Sequence, residues 1–194
     1  MANFSTSFGF DCYLVPLSSA EVDTSFTGVT TAANFIDTTT VQAADGSITY
    51  ASGIFSVGAT ALAMDGTDEP FRLYGLTNAA LETDTDSEDV VTYDDETKGF
   101  NISLPTSKSW EVSLAGVTDF KDAGYHVLRL TEANTIADAL RVKFLRVGPT
   151  GTDEKVYGYG TLSGYTESIE AGSIVSWEAT LTGYGPYRLD LDIN

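Results

Sequence analysis

Along most of this chain, hydrophobic and polar residues alternate one for one. In the stretch 110–117, Trp110, Val112 and Leu114 fall on one side and Glu111 and Ser113 on the other, the period-two signature of a half-buried strand. Similar patterns predict strands at 9–17, 71–76, 90–93, 101–105 and 140–147, the last alternating basic with apolar residues. The runs 156–162 and 174–181 read as a long antiparallel pair. Shorter alternations at 47–50 and 53–57 predict brief strands, with turns at Asp45-Gly46 and Asp65-Gly66.

The period changes once. Over 121–133, Tyr125, Leu128 and either Ala123 or Glu132 recur at helical spacing, with Val127 and Leu130 beside them. Ala133-Asn134-Thr135 is expected to end that helix. Its apolar face would pack on a sheet or across a subunit boundary. The segment 18–45 has weak periodicity and reads as a long loop or arm. No internal repeat or low-complexity linker divides the 194 residues, so the expectation is one domain over 1–194. Its class is mainly β: an antiparallel sandwich or barrel with one flanking α-helix and a long N-terminal loop or insertion.

Charge changes the picture more than composition does. Asp and Glu number 28 against 10 Lys and Arg, a net of −18, and the first basic residue is Arg72. Such a surface repels phosphate and anionic headgroups. It argues against nucleic-acid groove binding. No apolar run approaches the ~20 residues of a membrane span, and the N-terminus lacks signal-peptide character. No membrane role is expected. The single cysteine, Cys12, lies in an apolar strand-like stretch. It reads as a packed small hydrophobe, compatible with cytoplasmic synthesis.

Candidate chemistry is sparse. His126 is the only histidine and lies inside the predicted helix, with no nucleophile elbow to support a triad. The acidic run 82–89 could offer carboxylates to calcium, but a calcium loop starting at Asp84 finds Asp89 where glycine is needed and Asp95 where glutamate is usual. A solvated or channel-lining loop is the better reading. Asp94, Asp95 and Glu96 do not single out a glycosidase pair. Gly158, Gly160 and Gly164 do not match a dinucleotide fingerprint. No enzyme activity, metal or cofactor is expected.

Two stretches carry a resemblance. The first is Glu88-Asp89-Val90-Val91-Thr92-Tyr93-Asp94-Asp95, then Gly99-Phe100-Asn101-Ile102-Ser103-Leu104-Pro105, then Ser109-Trp110-Glu111-Val112-Ser113-Leu114-Ala115-Gly116-Val117. The second runs from Tyr157-Gly158-Tyr159-Gly160-Thr161-Leu162 to Trp177-Glu178-Ala179-Thr180-Leu181-Thr182-Gly183-Tyr184-Gly185. In order and character, these resemble the acidic strand, hairpin and closing hairpin of long-tailed bacteriophage major tail (tail tube) proteins. The resemblance covers roughly 72–187. It departs from the family at 18–70, a probable insertion or extended arm where members have a shorter connection.

The resemblance implies a virion protein of the phage tail, assembled in the host cytoplasm. Hexameric rings would stack into a tube whose negatively charged lumen conducts DNA and holds the tape measure protein. A tail terminator and baseplate or tail-tip proteins would be further partners, and DNA would pass without specific binding. Glu82, Asp84, Asp86, Glu88, Asp89, Asp94 and Asp95 are the lumen or inter-ring candidates. Trp110, Val112, Leu114, Tyr125, Leu128 and Trp177 are the core or interface candidates. The alternative is a β-sandwich carbohydrate- or calcium-binding adhesin-like module, using tyrosines 157, 159, 165, 184 and 187 and a calcium near Asp84, Asp86 and Asp89. A different virion part and a hydrolase are further readings.

Overall fold

A computed structural model describes residues 9–18, 22–42, 47–91, 101–118, 122–138, 140–149, 154–169 and 175–191. Ten strands and two helices follow in the order β1 (Asp11–Leu17), α1 (Ala32–Phe35), β2 (Ile48–Ala51), β3 (Ile54–Val57), β4 (Thr60–Ala61), β5 (Phe71–Leu73), β6 (Leu76–Val91), β7 (Asn101–Thr118), α2 (Ala123–Asp138), β8 (Arg141–Val147), β9 (Lys155–Ser168) and β10 (Val175–Asp190). The main sheet has seven strands in the order β5-β1-β8-β9-β10-β7-β6, and β2-β3-β4 form a small second sheet. All the pairings are antiparallel. The fold is the mainly β, antiparallel, helix-flanked class that the alternation predicts.

Every strand of the main sheet sends apolar side chains to one cluster. Cys12 and Leu14, Leu73, Leu76, Trp110, Val112 and Leu114 meet Val142 and Phe144, Leu162, Trp177, Ala179 and Leu181. Tyr125 and Leu128 of α2 close that cluster, both fully buried. The sheet curls around it. Arg146 of β8 reaches across to donate to the Ala79 carbonyl of β6 at 2.8 Å, although three strands separate β8 from β6 in the sheet. The other side of α2, through Ala123 and Val127, packs on Phe55, Leu62 and Met64 of the small sheet and its flanks. Burying these side chains stabilises the fold by about 1.5–3 kcal/mol each relative to leaving them exposed.

Four details differ from the sequence expectations. The stretch 71–76 is not one strand: it breaks at Tyr74-Gly75, where Gly75 has φ +67°. There the Gly75 carbonyl accepts from Val117 N–H at 2.9 Å, and a Cβ would stand 1.9 Å from the Val117 carbonyl oxygen. This kink passes the chain from one edge of the sheet to the other. Next, 101–105 and 110–117 belong to one continuous strand, β7. Pro105, which lacks a donor, sits where the β6–β7 register slips beside Asp86 and Ser87, a position that tolerates proline.

The acidic run 82–89 is not a loop: it is the middle of β6, made regular by pairing with β7. The helix does not end at Ala133-Asn134-Thr135 but continues to Asp138. Asn134 Nδ2 and the Thr135 hydroxyl turn back onto the carbonyls of Leu130 and Thr131, so both polar side chains find partners within the helix rather than ending it. The loop or arm expected over 18–45 is described at 22–42 and is an arm. Residues 22–42 form an arm with a one-turn helix, α1, capped by Thr31. Phe26, Phe35 and Ile36 of the arm pack on Tyr13, Val15, Leu17, Leu145, Tyr157 and Tyr159. The brief strands at 47–50 and 53–57 form as β2 and β3, while the turn at Asp45-Gly46 lies outside the described residues.

Candidate functional site

The side of the sheet opposite the main cluster divides into two halves. Over β1, β8 and the first half of β9 it is apolar and covered by the arm. Over the second half of β9, β10, β7 and β6 it is bare. Because side chains alternate across a strand, the residues between the buried ones project from this bare half. On β9 these are Thr161, Ser163, Thr166 and Ser168. On β10 they are Ser176, Glu178, Thr180 and Thr182. On β7 they are Ser107, Ser109, Glu111 and Ser113, and on β6 Glu82, Asp84, Asp86 and Glu88. Ala80, Ala115, Val117 opposite Ser176 and Leu104 opposite Glu88 continue the pattern without a polar group.

Cross-strand register binds this face into rows. Thr180 lies opposite Ser113 on one side and Ser163 on the other, and Thr182 opposite Glu111 and Thr161. The hydroxyls engage one another: Ser163 Oγ is 3.3 Å from Thr182 Oγ1, and Ser107 donates to the Asp86 carboxylate at 2.7 Å. Carboxylates gather toward β6. Glu82 stands directly opposite Glu111, a like-charge pair that stability alone does not favour.

The final rung between β10 and β7 is Thr182 with Glu111, yet β6 and β7 stay paired to Val91 and Asn101. The outer parts of β6 and β7 therefore project as a two-stranded ribbon. Residues 82–89 and 103–109 are all exposed. The run is long for an isolated hairpin, which is marginal in water without a further surface to pack on.

The described cations sit elsewhere or at the margin. Arg72 pairs with Asp11, Arg129 with Glu167 and Arg146 with Glu154. Lys108 lies over the Tyr187 ring at 5.7 Å. Arg141 borders the face, 4.8 Å from the Tyr184 ring. Lys143 and Arg188 lie under the arm, donating to the carbonyls of Phe35 and Val29. Chemically, the bare half is a sheet of hydroxyls and carboxylates that wets readily and repels phosphate.

The structure disperses the other candidates. Trp110, Val112, Leu114, Tyr125, Leu128 and Trp177 all lie in the main cluster. Asp94 and Asp95 lie outside the described residues. The strand alternation puts Asp84 and Asp86 on one face of the ribbon and Asp89 on the other, so the three do not converge as a calcium site would require. Among the described residues no group of three or more His, Cys, Asp or Glu side chains is placed to hold a metal. Of the five tyrosines, Tyr157 and Tyr159 are buried against the arm, Tyr165 and Tyr187 pack on the main cluster, and Tyr184 is exposed; they form no common platform. A pocket of 380 Å³ opens at the start of β6, lined by Phe10, Leu76, Thr77, Asn78, Ala79, Ala80 and Arg146. That lining offers no acid–base pair. His126 is half-buried on α2 beside Tyr125. Cys12 is fully buried, and desolvation pushes its thiol up to about 12, far from a reactive thiolate.

The sequence reading missed the clasp beneath the arm. Its one signal was the alternation of basic and apolar residues along 140–147, which places Lys143 on the side away from Val142 and Phe144.

Among solved structures, a chain of the anti-feeding prophage baseplate, determined with 6-fold symmetry, superposes over 97% of both chains with a TM-score of 0.52 and 8% identity. The two chains share a fold. A chain in the tail of a gene transfer agent particle, with C6 symmetry, is 17% identical over 68% of this chain and 92% of its own, with a TM-score of 0.49. A chain of the SPP1 tail tube is 14% identical over 80% and 81%, with a TM-score of 0.40. No family model matches the sequence, and no curated protein does.

Proposed function

We propose that this chain is a tail tube subunit of a long-tailed bacteriophage, six copies forming a ring and rings stacking into a tube. The observation that carries the reading is the bare half of the sheet. Its four strands present mostly hydroxyls and carboxylates on one side, with few apolar residues between them. A channel for DNA suits that surface: phosphates slide where no lattice of Lys and Arg exchanges with their counterions. The fold shared with a chain of a 6-fold baseplate assembly supports the same role, and so does the ordered motif resemblance over 72–187.

In this reading Glu82, Asp84, Asp86, Glu88 and Glu111 make the lumen negative. The β6–β7 ribbon, with Asp89 on it, contacts a neighbouring subunit or ring, and Asp94 and Asp95 are proposed as lumen or inter-ring carboxylates from the sequence alone. The tape measure protein fills the lumen before DNA enters. A tail terminator and baseplate or tail-tip proteins cap the ends. The protein works as a surface and not as an enzyme, in the virion, after assembly in the host cytoplasm. Self-repulsion between chains of charge −18 slows stacking at low salt, so that an initiating complex sets where it begins.

Electron microscopy of the purified protein, with and without raised salt, tests the reading. Rings or hollow filaments are expected, more abundant as salt screens the repulsion. A protein that stays monomeric across that range and at high concentration contradicts it.

A further inference from the structure

Four described cations project from the same side of the sheet as the bare polar face: Arg141 and Lys143 on β8, Lys155 on β9 and Arg188 on β10. Two of them, Lys143 and Arg188, are taken up by main-chain carbonyls of the stretch that covers the sheet. Lys143 Nζ donates to the carbonyls of Phe35 at 3.2 Å and Gly66 at 2.8 Å and lies 5.1 Å from the Phe35 ring. Arg188 Nη1 donates to the carbonyl of Val29, with its guanidinium 4.7 Å from the Phe26 ring. The accepting carbonyls all come from the stretch between β1 and β5. Desolvation there draws the Lys143 ammonium below its ordinary value.

The arm that supplies most of these acceptors is anchored and chemically matched to its surroundings. Asp190 accepts from the Ala32 N–H at 2.8 Å and from the Tyr157 hydroxyl at 3.1 Å, holding α1 against the sheet. The exposed surface of the arm consists mainly of Ser25, Thr27, Thr30, Thr31, Asn34 and Thr38. No Lys or Arg occurs before Arg72. The arm therefore replaces two cations with the same hydroxyl-rich surface that the neighbouring strands show unaided.

We propose that the arm, residues 22–42, is a charge cover: its main-chain carbonyls take up Lys143 and Arg188 so that a polyanion moving along this side of the sheet meets neither. The inference rests on the reading of this side as a DNA channel wall. It gives residues 22–42, part of the stretch 18–70 where the chain departs from the family resemblance, a specific role. Phosphate contacts with Lys and Arg are the sequence-independent term in nucleic-acid affinity, and main-chain carbonyls offer the same cations an alternative that costs no negative charge.

Three measurements test it. In the native chain, acetylation of Lys143 by a small acylating reagent should be at least about tenfold slower than that of exposed Lys108, since it requires local opening of the arm. Replacing 22–42 with a short Gly-Ser linker, or loosening the arm by Asp190→Ala, should make Lys143 reactive. The same variants should gain affinity for a short DNA duplex at low salt, with a log–log salt slope steeper by about 2, one unit per released cation. Adding Lys143→Met and Arg188→Met should remove that gain. Lys143 acetylated as fast as Lys108 in the native chain overturns the cover. So does a variant with reactive Lys143 and unchanged DNA affinity. Microscopy of the same samples scores assembly separately, so tubes that form while these tests fail leave the tube reading standing without the cover.

Discussion

The indole N–H of Trp110 donates to the carbonyl of Gly185 at 2.8 Å. This bond spans the point where β7 and β10 part. Up to Glu111 and Thr182 the two strands are paired; beyond it β7 continues into the ribbon while β10 stays paired with β9. Gly183 and Gly185 border a register slip on β10 before Tyr187 resumes pairing with Gly158. Trp110 fills the fork, with Tyr187 edge-on to its ring at 5.8 Å. One side chain thus ends the paired wall and starts the projection that the proposed assembly uses.

Gly183→Ala should strain this fork. A Cβ at Gly183 would lie 2.2 Å from the Trp110 indole, and backbone and ring are both constrained there. The expected loss of stability is about 1–3 kcal/mol, typical of overpacking, read as a lower urea midpoint with an unchanged slope. A change in tube formation without a change in midpoint would place the effect in assembly and contradict the packing account.

Glu82 and Glu111 should repel one another in the folded chain. Their direct cross-strand placement predicts that Glu82→Gln raises stability by about 0.2–1 kcal/mol at low salt, with the gain shrinking as salt screens the pair. Thermal melts at two ionic strengths check this. A destabilised variant would mean that the pair makes a favourable interaction through another group.

High pH should unfold the chain. Burial raises the hydroxyls of Tyr13, Tyr125, Tyr157, Tyr159 and Tyr165 above their ordinary value of 10.0. Their contribution is present below 10.0 and lost as pH rises through the raised folded values, because the unfolded chain loses those protons first. Cys12 acts in the same direction from 9.0 to about 12. Lys143 opposes them: its value is lowered by burial, so its term favours folding more as pH climbs toward 10.5. Six groups outweigh one. Urea midpoints should fall between about pH 9 and pH 11, near the tyrosine range, and Tyr159→Phe should flatten the fall. A midpoint that holds constant over that range would contradict the burial of these rings.

Period-two alternation located β7 and β10 because each has one face in the main cluster and one toward water, while β1, buried on both faces, shows as a continuous apolar run. It could not locate the breaks, which depend on contacts distant in sequence. Gly75 separates β5 from β6 because the Val117 carbonyl leaves no room for a Cβ, and Val117 is 42 positions away along the chain. Pro105 read as the end of a strand; its partner strand accommodates it with a register slip. Thr135 and Asn134 read as helix breakers, and their side chains instead bond back into the helix. The polar face was legible only as a list of carboxylates, because its hydroxyls come from three strands that register alone brings side by side. The arm was illegible because its packing residues, Phe26 and Phe35, follow no period and find their partners Tyr157 and Tyr159 more than a hundred residues on.

The central claim is that the Ser, Thr and carboxylate face of β9-β10-β7-β6 lines a channel. A cryo-electron microscopy reconstruction of the assembled protein tests it most directly. The account predicts hollow six-fold tubes in which Thr166, Thr180, Ser113 and Glu82 project toward the axis. Tubes in which those residues point outward, with α2 toward the axis, would contradict it.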